Sequence, residues 1–519
     1  LLALPAAAQQ AAPGVDLRDY ARARAADAAG QAALAAAGYA RALDAVPDDQ
    51  LLATRAYRQA LAAGDYALAS RAATILATAR VAPPDTDVLA FAVALHGGDR
   101  VAAQKAVERM SRTQLDFLVP ALSAWLARDR GEDPLPLLDA ARGNALAAPF
   151  AERHRALLLI ATGKADQGLF ALAAASGTAL PQDPRIDAAI ALLRMGEQGK
   201  AAPLLGDLAG ASGAWRKRQA KAGKPNATFG AAHLFLGLAG DLRGADMAPL
   251  SILLTRAALL LDPQEDRARL LLADALSRSG ATDLALQALA AVPADGPFAR
   301  GAIAGQVDAL RRAGRLPEAL AKAEALARAP GATAEEIEDL GELLAKAGRY
   351  GDAAAAYARA LQRSGGDNWE LEYRRGAALD RAGRWDEALP ALKRAVKLAP
   401  DEPEALAWLG NAQAERGVDL PAAQALLERA SKLKPDDPAI TDSLGRAYYA
   451  DGQLEKALPL LEEAARADPG GTLPNEHLGD LYWKLGRRIE ARYAWRAAEV
   501  SAAPVDAIRL QTKLADGLQ

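Results

Sequence analysis

Small and apolar residues return along this chain at a spacing that only helices explain. In the window 438–471, Leu444, Gly445 and Tyr448 fall on one helical face and Gly452 interrupts it. Ala457, Leu461 and Ala464 then follow at three- and four-residue steps before Pro469, the signature of a second amphipathic helix. The window 472–503 repeats these marks as Leu478, Gly479, Tyr482, Gly486, Ala491, Trp495 and Ala498. Upstream they are Gly376, Leu379, Gly383, Ala388, Leu392, Ala395 and Pro400. Between these lie Leu409, Gly410, Gly417, Ala423, Leu427, Ala430 and Pro435, with one extra residue near Val418. Each mark has a steric cause. The first Gly and the later Ala suit a close crossing of two antiparallel helices. The second Gly ends the first helix by accepting a left-handed conformation, and the Pro stops the second.

The inter-helix glycine runs through nearly the whole chain as Gly30, Gly64, Gly98, Gly131, Gly163 and Gly196, then Gly280, Gly314, Gly348, Gly383, Gly417, Gly452 and Gly486. Successive gaps are 34, 34, 33, 32 and 33, then 84, then 34, 34, 35, 34, 35 and 34. Alanine stands five residues after the glycine at Ala35, Ala69, Ala103, Ala285, Ala319, Ala353, Ala388, Ala457 and Ala491. Chance spacing of 43 glycines does not produce two such series.

This pattern resembles the tetratricopeptide repeat, a helix–turn–helix unit of about 34 residues. The resemblance implies an all-α fold: an α-solenoid of about 14 hairpins in a right-handed superhelix, each burying its apolar face against its neighbours. The match is near consensus from about Phe298 to Pro504 and recognisable from Asp16 to Gly98, with Tyr39, Ala42 and Pro47 in place. Between Arg100 and Gly210 it degrades, Pro136 and Gly168 standing where Ala is expected, which predicts hairpins with altered packing.

The expected organisation is a leader over 1–12, a divergent N-terminal array over 13–210, a basic linker over 211–228, a second array over 229–504 and a capping helix over 505–519. The opening Leu1-Leu2-Ala3-Leu4-Pro5-Ala6-Ala7-Ala8 reads as the tail of a secretory signal with a cut after Ala8, which would place the protein in the bacterial periplasm. The linker carries Arg216, Lys217, Arg218, Lys221 and Lys224, and no acid occurs between Asp207 and Asp241. It is either a solvated connector or a contact patch for an acidic partner or an anionic lipid surface.

Composition narrows the function. Of 519 residues, 51% are hydrophobic but only 5% aromatic, a mix that favours helix over sheet. The net charge of −3 argues against nucleic acid as a partner. The chain has no cysteine, so disulfides, thiolate metal sites and a catalytic thiol are excluded within it. No apolar stretch is long enough to span a membrane, since Ser251, Thr255 and Arg256 break the run from Leu250 to Leu261; any envelope association would be peripheral. His96, His154, His233 and His477 lie far apart in sequence, and neither a phosphate loop nor a G-x-S-x-G elbow occurs. Adjacent acids such as Glu335-Glu336 and Glu462-Glu463 read as solvated helix faces. A non-catalytic protein without cofactor or metal is expected.

In the family this chain resembles, the second, fifth, ninth and twelfth places of the repeat face the concave wall. Counting from Trp369, Pro403, Pro438 and Thr472 brings Tyr373, Asp380, Asn411, Asp442, Arg446, Tyr449, Glu476, Asp480 and Trp483 there. Aromatics mixed with charges would suit a groove for a protein or peptide, although an ordinary solvated face would look the same. The Lys and Asn clamp of tetratricopeptide cochaperones is absent: its positions hold Tyr373 and Ala377, Ala407 and Asn411, Asp442 and Arg446, and Glu476 and Asp480.

The run Asp442-Ser443-Leu444-Gly445, then His477-Leu478-Gly479-Asp480 with Tyr482-Trp483, Gly486-Arg487-Arg488 and Glu490-Ala491-Arg492 is similar to an exported bacterial subgroup of these proteins. Lipid-anchored members of it bring substrates to periplasmic carboxy-terminal-processing proteases; this sequence lacks the anchoring Cys. The expected function is a scaffold or adaptor that binds a partner in a concave groove. The alternatives are such a protease adaptor, a cell-wall-active enzyme on a helical scaffold, and a self-assembling structural protein.

Overall fold

A computed structural model describes residues 17–175, 184–210, 213–242, 244 and 246–518. Among the described residues the chain is all-α, with thirty α-helices and no strand. The leader, residues 1–12, lies outside them. No helix among them is long and apolar enough to cross a membrane. The helices follow one another as fourteen pairs, with two single helices, Gly213–Lys221 and Pro504–Asp516.

All thirteen inter-helix glycines have φ between 62° and 85°, the left-handed region that only glycine enters freely. The nine alanines five residues further on are each 0% exposed. At the crossing itself, a methyl group on Gly445 would run into the Leu461 side chain. The period is thus the period of close helix contacts. In the degraded stretch Gly168 lies against Ile160 and the Ala156 carbonyl. The pair Ala147–Ala161 and Ala165–Ala175 keeps the hairpin with a smaller residue at the crossing. Pro136 falls in the first turn of the short helix Leu135–Asp139, where a missing N–H costs nothing.

The helices form two compact units, 1–322 and 323–519, and the division falls inside the helix Leu316–Arg328. Residues 213–221 of the expected linker are helical. Trp215 and Gln219, four residues apart on one face, are 1% and 2% exposed. The Trp215 ring meets Phe298 edge-on at 6.3 Å, and Arg194 Nη2 donates to Gln219 Oε1 at 3.0 Å. Two docked side chains a turn apart convert a basic connector into a wall of the first unit.

That unit is built around the helix Ala227–Asp241. It is apolar on every side, and twelve of its residues are buried, as a helix enclosed by others requires. It packs on Thr86–His96, Val119–Asp129 and Ala147–Ala161, while Ala248–Leu261 packs on Gln50–Ala63 and Thr86–His96. A methyl on Gly230 would overlap the Trp125 indole. Arg256 Nε donates to the Leu61 carbonyl at 3.1 Å, placing a cation on the last turn of Gln50–Ala63. The Tyr66 hydroxyl donates to the Arg256 carbonyl at 2.9 Å.

A buried ionic network ties this centre together. Asp187 is 0% exposed and accepts from Arg153 Nε at 2.7 Å, from Arg267 Nη2 at 2.7 Å and from His233 Nδ1 at 2.8 Å. Burial alone would raise its pKa; Arg153, Arg267 and His233 hold it well below the usual range. Arg267 Nε also donates to Glu265 Oε1 at 2.8 Å. His154 Nδ1 accepts from Trp125 Nε1 at 2.9 Å. Burial and the Arg153 charge bring its pKa down to about 3, so the ring is neutral. Thus His154 and His233, distant in sequence, are both fully buried in this unit, His233 within the ionic network and His154 bonded to Trp125 outside it, and no metal-holding group of side chains is formed among the described residues.

Among its described residues the second unit has no such centre. Its cores lie between consecutive helices, with Leu427, Leu461 and Leu481 in one and Ala491, Trp495 and Leu510 in the last, where Pro504–Asp516 closes the stack.

Candidate peptide groove

The first helices of successive pairs in the second unit begin at defined caps. The Asn368 side chain accepts from Leu371 N at 3.0 Å, and Pro403 and Pro438 occupy the first turn of their helices, where a preset φ favours the helix. These starts set the register of Trp369–Arg381, Pro403–Glu415, Pro438–Ala450 and Thr472–Lys484, whose side chains line a cleft of about 510 Å³.

One end is aromatic. Tyr373 and Trp408 meet edge-to-face at 6.0 Å, and the Arg381 guanidinium lies 5.0 Å from the Trp408 ring centre. Burial pushes the Tyr373 phenol pKa upward, keeping it a neutral donor. Leu473, 55% exposed, adds apolar surface.

The other end is polar and already ordered. Arg446 Nη1 lies 3.5 Å from Glu415 Oε1 and 3.0 Å from His477 Nε2, while His477 Nδ1 is 2.7 Å from Asp442 Oδ2. Since Arg446 can only donate, Nε2 accepts and the proton sits on Nδ1, donated to Asp442. The four groups come from three successive first helices, so their mutual bonds fix the wall before a ligand arrives. Lys434 Nζ lies 3.0 Å from both Glu404 Oε1 and Asp437 Oδ2 at the rim. The Glu404 carboxyl is held low by its hydrogen bonds with Glu402 and Lys434. Asp437 is likewise low, the Lys434 and backbone bonds outweighing its burial.

Of the residues expected on the concave wall, Tyr373, Asn411, Asp442 and Arg446 line this cleft. Asp380 is engaged by Arg416 at 2.5 Å. Tyr449 is half-buried against the core of the neighbouring pairs. Glu476, Asp480 and Trp483 are taken by the closing helix. Arg509 Nη2 binds Glu476 at 2.7 Å and Lys513 Nζ binds Asp480 at 2.7 Å, while the Trp483 ring lies against Gly517, just past that helix, and 5.4 Å from the Trp495 ring. The repeat register places these three on the wall but carries no information about a helix that covers it.

Trp408 and His477, at the sixth place of their repeats, and Glu404 and Leu473, at the second, also line the cleft. The sixth place was the missed signal: the wall is wider than the four stripes counted from the repeat. Among the basic residues, Arg218 pairs with Asp295 at 3.4 Å, Arg216 is partly covered, and Lys217, Lys221 and Lys224 are exposed.

Residues 344–407 and 379–447 match a family described as tetratricopeptide repeat, and residues 304–368 match a second of the same description. Residues 304–447 therefore carry tetratricopeptide repeats, which support a protein–protein interaction scaffold. No curated protein matches the chain. Among solved structures, a tetratricopeptide repeat protein from Parabacteroides merdae is 16% identical over 47% of this chain and 95% of its own, with a TM-score of 0.41. A thermophilic one from Thermus thermophilus is 22% identical over 36% and 98%, with a TM-score of 0.32. YrrB, described as having an unusual peptide-binding site, is 25% identical over 33% and 88%, with a TM-score of 0.29.

Proposed function

We propose that the second unit docks an extended peptide segment of a partner protein. The segment would lie between the Tyr373–Trp408 pair and the Glu415–Arg446–His477–Asp442 set. The observation that carries this reading is a cleft of about 510 Å³ crossing successive first helices, with its polar groups pre-ordered by one another. Preorganisation lowers the entropy cost of binding, and aromatic and Arg anchors in a partly desolvated cleft are the usual sources of affinity. Trp408→Ala with Arg446→Ala should weaken capture of the cognate partner, crosslinked from the source cell envelope, by about 30-fold with helicity intact. Undiminished capture sinks the groove.

In this reading the protein is a non-catalytic scaffold of the bacterial periplasm. Support comes from the leader pattern of Leu1–Ala8 and from the exported-subgroup likeness of the last two repeats. Cell fractionation that left the full-length protein in the cytoplasm would refute the location. A narrower role, delivering substrates to a carboxy-terminal-processing protease, rests on the same motif. Adding the purified protein to such a protease should form a complex and speed substrate turnover. An enzyme reading would rest on a carboxyl shifted upward beside the cleft; Glu402 is so shifted, to about 6, by its hydrogen bond with Glu404, while Asp437 is shifted downward.

A further inference from the structure

The first unit holds a second cavity, of about 300 Å³, where Ala248–Leu261 leaves part of Gln50–Ala63 uncovered. Leu61, Ala62, Pro83, Pro249 and Ile252 supply apolar wall, and the polar lining includes Asp27, Tyr57, Arg58 and Asp85.

The hydrogen bonds of these groups are unevenly met. Asp27 is satisfied, accepting from the Tyr39 hydroxyl at 2.9 Å and from Gln59 Nε2 at 2.7 Å. The Tyr57 hydroxyl and Asp85 Oδ1 are buried with no partner, and Tyr57 as a whole is 3% exposed. Asp85 precedes the helix Thr86–His96 but makes no capping bond to it. Asp49, Asp65 and Asp99 all cap the helices they precede. Asp85 thus forgoes the usual work of an Asp at that position, and its Oδ1 is left without a partner in the wall of this cavity.

Burial raises the Asp85 pKa, against the pull of backbone bonds and Arg58. Burial also raises the Tyr57 phenol, and the Asp85 charge adds to it. An unmet buried acceptor costs about 1–3 kcal/mol, more when it is charged, so a built site of this kind calls for a donor. A protonated amine supplies both donors and charge. An anion would face Asp85 and Asp27 and find only Arg58, which is solvent-exposed.

We propose that this cavity binds a compact organic cation, a primary amine or a single ammonium-bearing side chain, whose N–H groups go to Asp85 Oδ1 and the Tyr57 hydroxyl. The volume matches the lower end of small-ligand sites, about 300 Å³. The site is separate from the peptide groove and does not depend on it.

Calorimetric or NMR titration of the full chain with pentylamine, pentan-1-ol and pentanoate tests this assignment. Pentylamine should bind at least about tenfold tighter than pentanol, and pentanoate should not bind. Asp85→Asn, close to isosteric, should abolish the preference for the amine, and Tyr57→Phe should weaken amine binding several-fold. Arg446→Ala should change nothing. Equal binding of amine and alcohol overturns the proposal, as does tighter binding of pentanoate, an amine preference that survives Asp85→Asn, or no saturable amine binding. If Asp85→Asn fails to fold, Tyr57→Phe decides, and unchanged amine affinity in it overturns the assignment.

Discussion

In the unit ending at Lys322, Ala227–Asp241 and Ala248–Leu261 cover the first helices Gln50–Ala63, Thr86–His96 and Val119–Asp129. In the unit beginning at Ala323, the corresponding faces of Trp369–Arg381, Pro403–Glu415 and Pro438–Ala450 line an open cleft. Most hairpins of the two units are alike, with the same left-handed glycine and the same buried alanine, Pro136 and Gly168 being departures in the first. What differs is whether the chain supplies its own apolar helix to the inner face. Where it does, charged side chains on that face are desolvated and must be matched, as Asp187 is by Arg153, Arg267 and His233. Where it does not, similar side chains remain available to a partner. The closing helix Pro504–Asp516 does on a small scale for the second unit what the central helices do for the first. It neutralises Glu476 and Asp480 and covers Trp483.

Replacing one central acid in each unit gives the widest contrast. Asp187→Ala should destabilise the first unit by about 3–5 kcal/mol, because three buried donors lose their acceptor. Asp442→Ala should cost about 1 kcal/mol while impairing partner capture. Chemical denaturation followed by hydrogen exchange in each unit measures both. Comparable losses of stability would erase the distinction between a filled and an open face.

Acid should open the covered end of the second unit. Glu476 is buried, which would raise its pKa, but hydrogen bonds from Arg509 and Lys513 bring it down to about 2 from an ordinary 4.5. Its contribution, at most about 3 kcal/mol, is fully present above pH 4.5 and is lost as pH falls from there through 2. Exchange protection over residues 504–516 should drop across that window, and Glu476→Gln should remove much of the dependence. A flat profile would mean that apolar packing alone seats the helix.

Gly230→Ala sets a methyl against Trp125 and should cost about 1–3 kcal/mol, seen as a lower melting temperature of the first unit. Smallest of all, Lys217→Glu with Lys221→Glu should shift stability by less than about 0.5 kcal/mol. If the same pair of changes leaves binding to anionic vesicles untouched, the exposed lysines are solvation alone.

The helix pairs were readable from the sequence because a close crossing and a tight turn are local demands. Gly452 and Ala457 satisfy theirs within one hairpin, and so does every other such pair in the series. The groove was readable only in part. Tyr373, Asn411, Asp442 and Arg446 follow from register, whereas Trp408 and His477 depend on the width of the wall, and Glu476 depends on Arg509 and Lys513, 33 and 37 residues away. The basic stretch read as a connector because its charges are visible in sequence and the docking of Trp215 and Gln219 is not.

Period, hairpin and turn thus follow from the residues in order, since each is enforced by contacts within about one repeat. Which inner face is filled does not. It rests on Arg256 reaching the carbonyl of Leu61, 195 residues earlier, and on four helices converging at Asp187. A repeat pattern is the same whether its inner face meets water, a partner or another part of the chain, so only the assembled unit distinguishes a core from a groove.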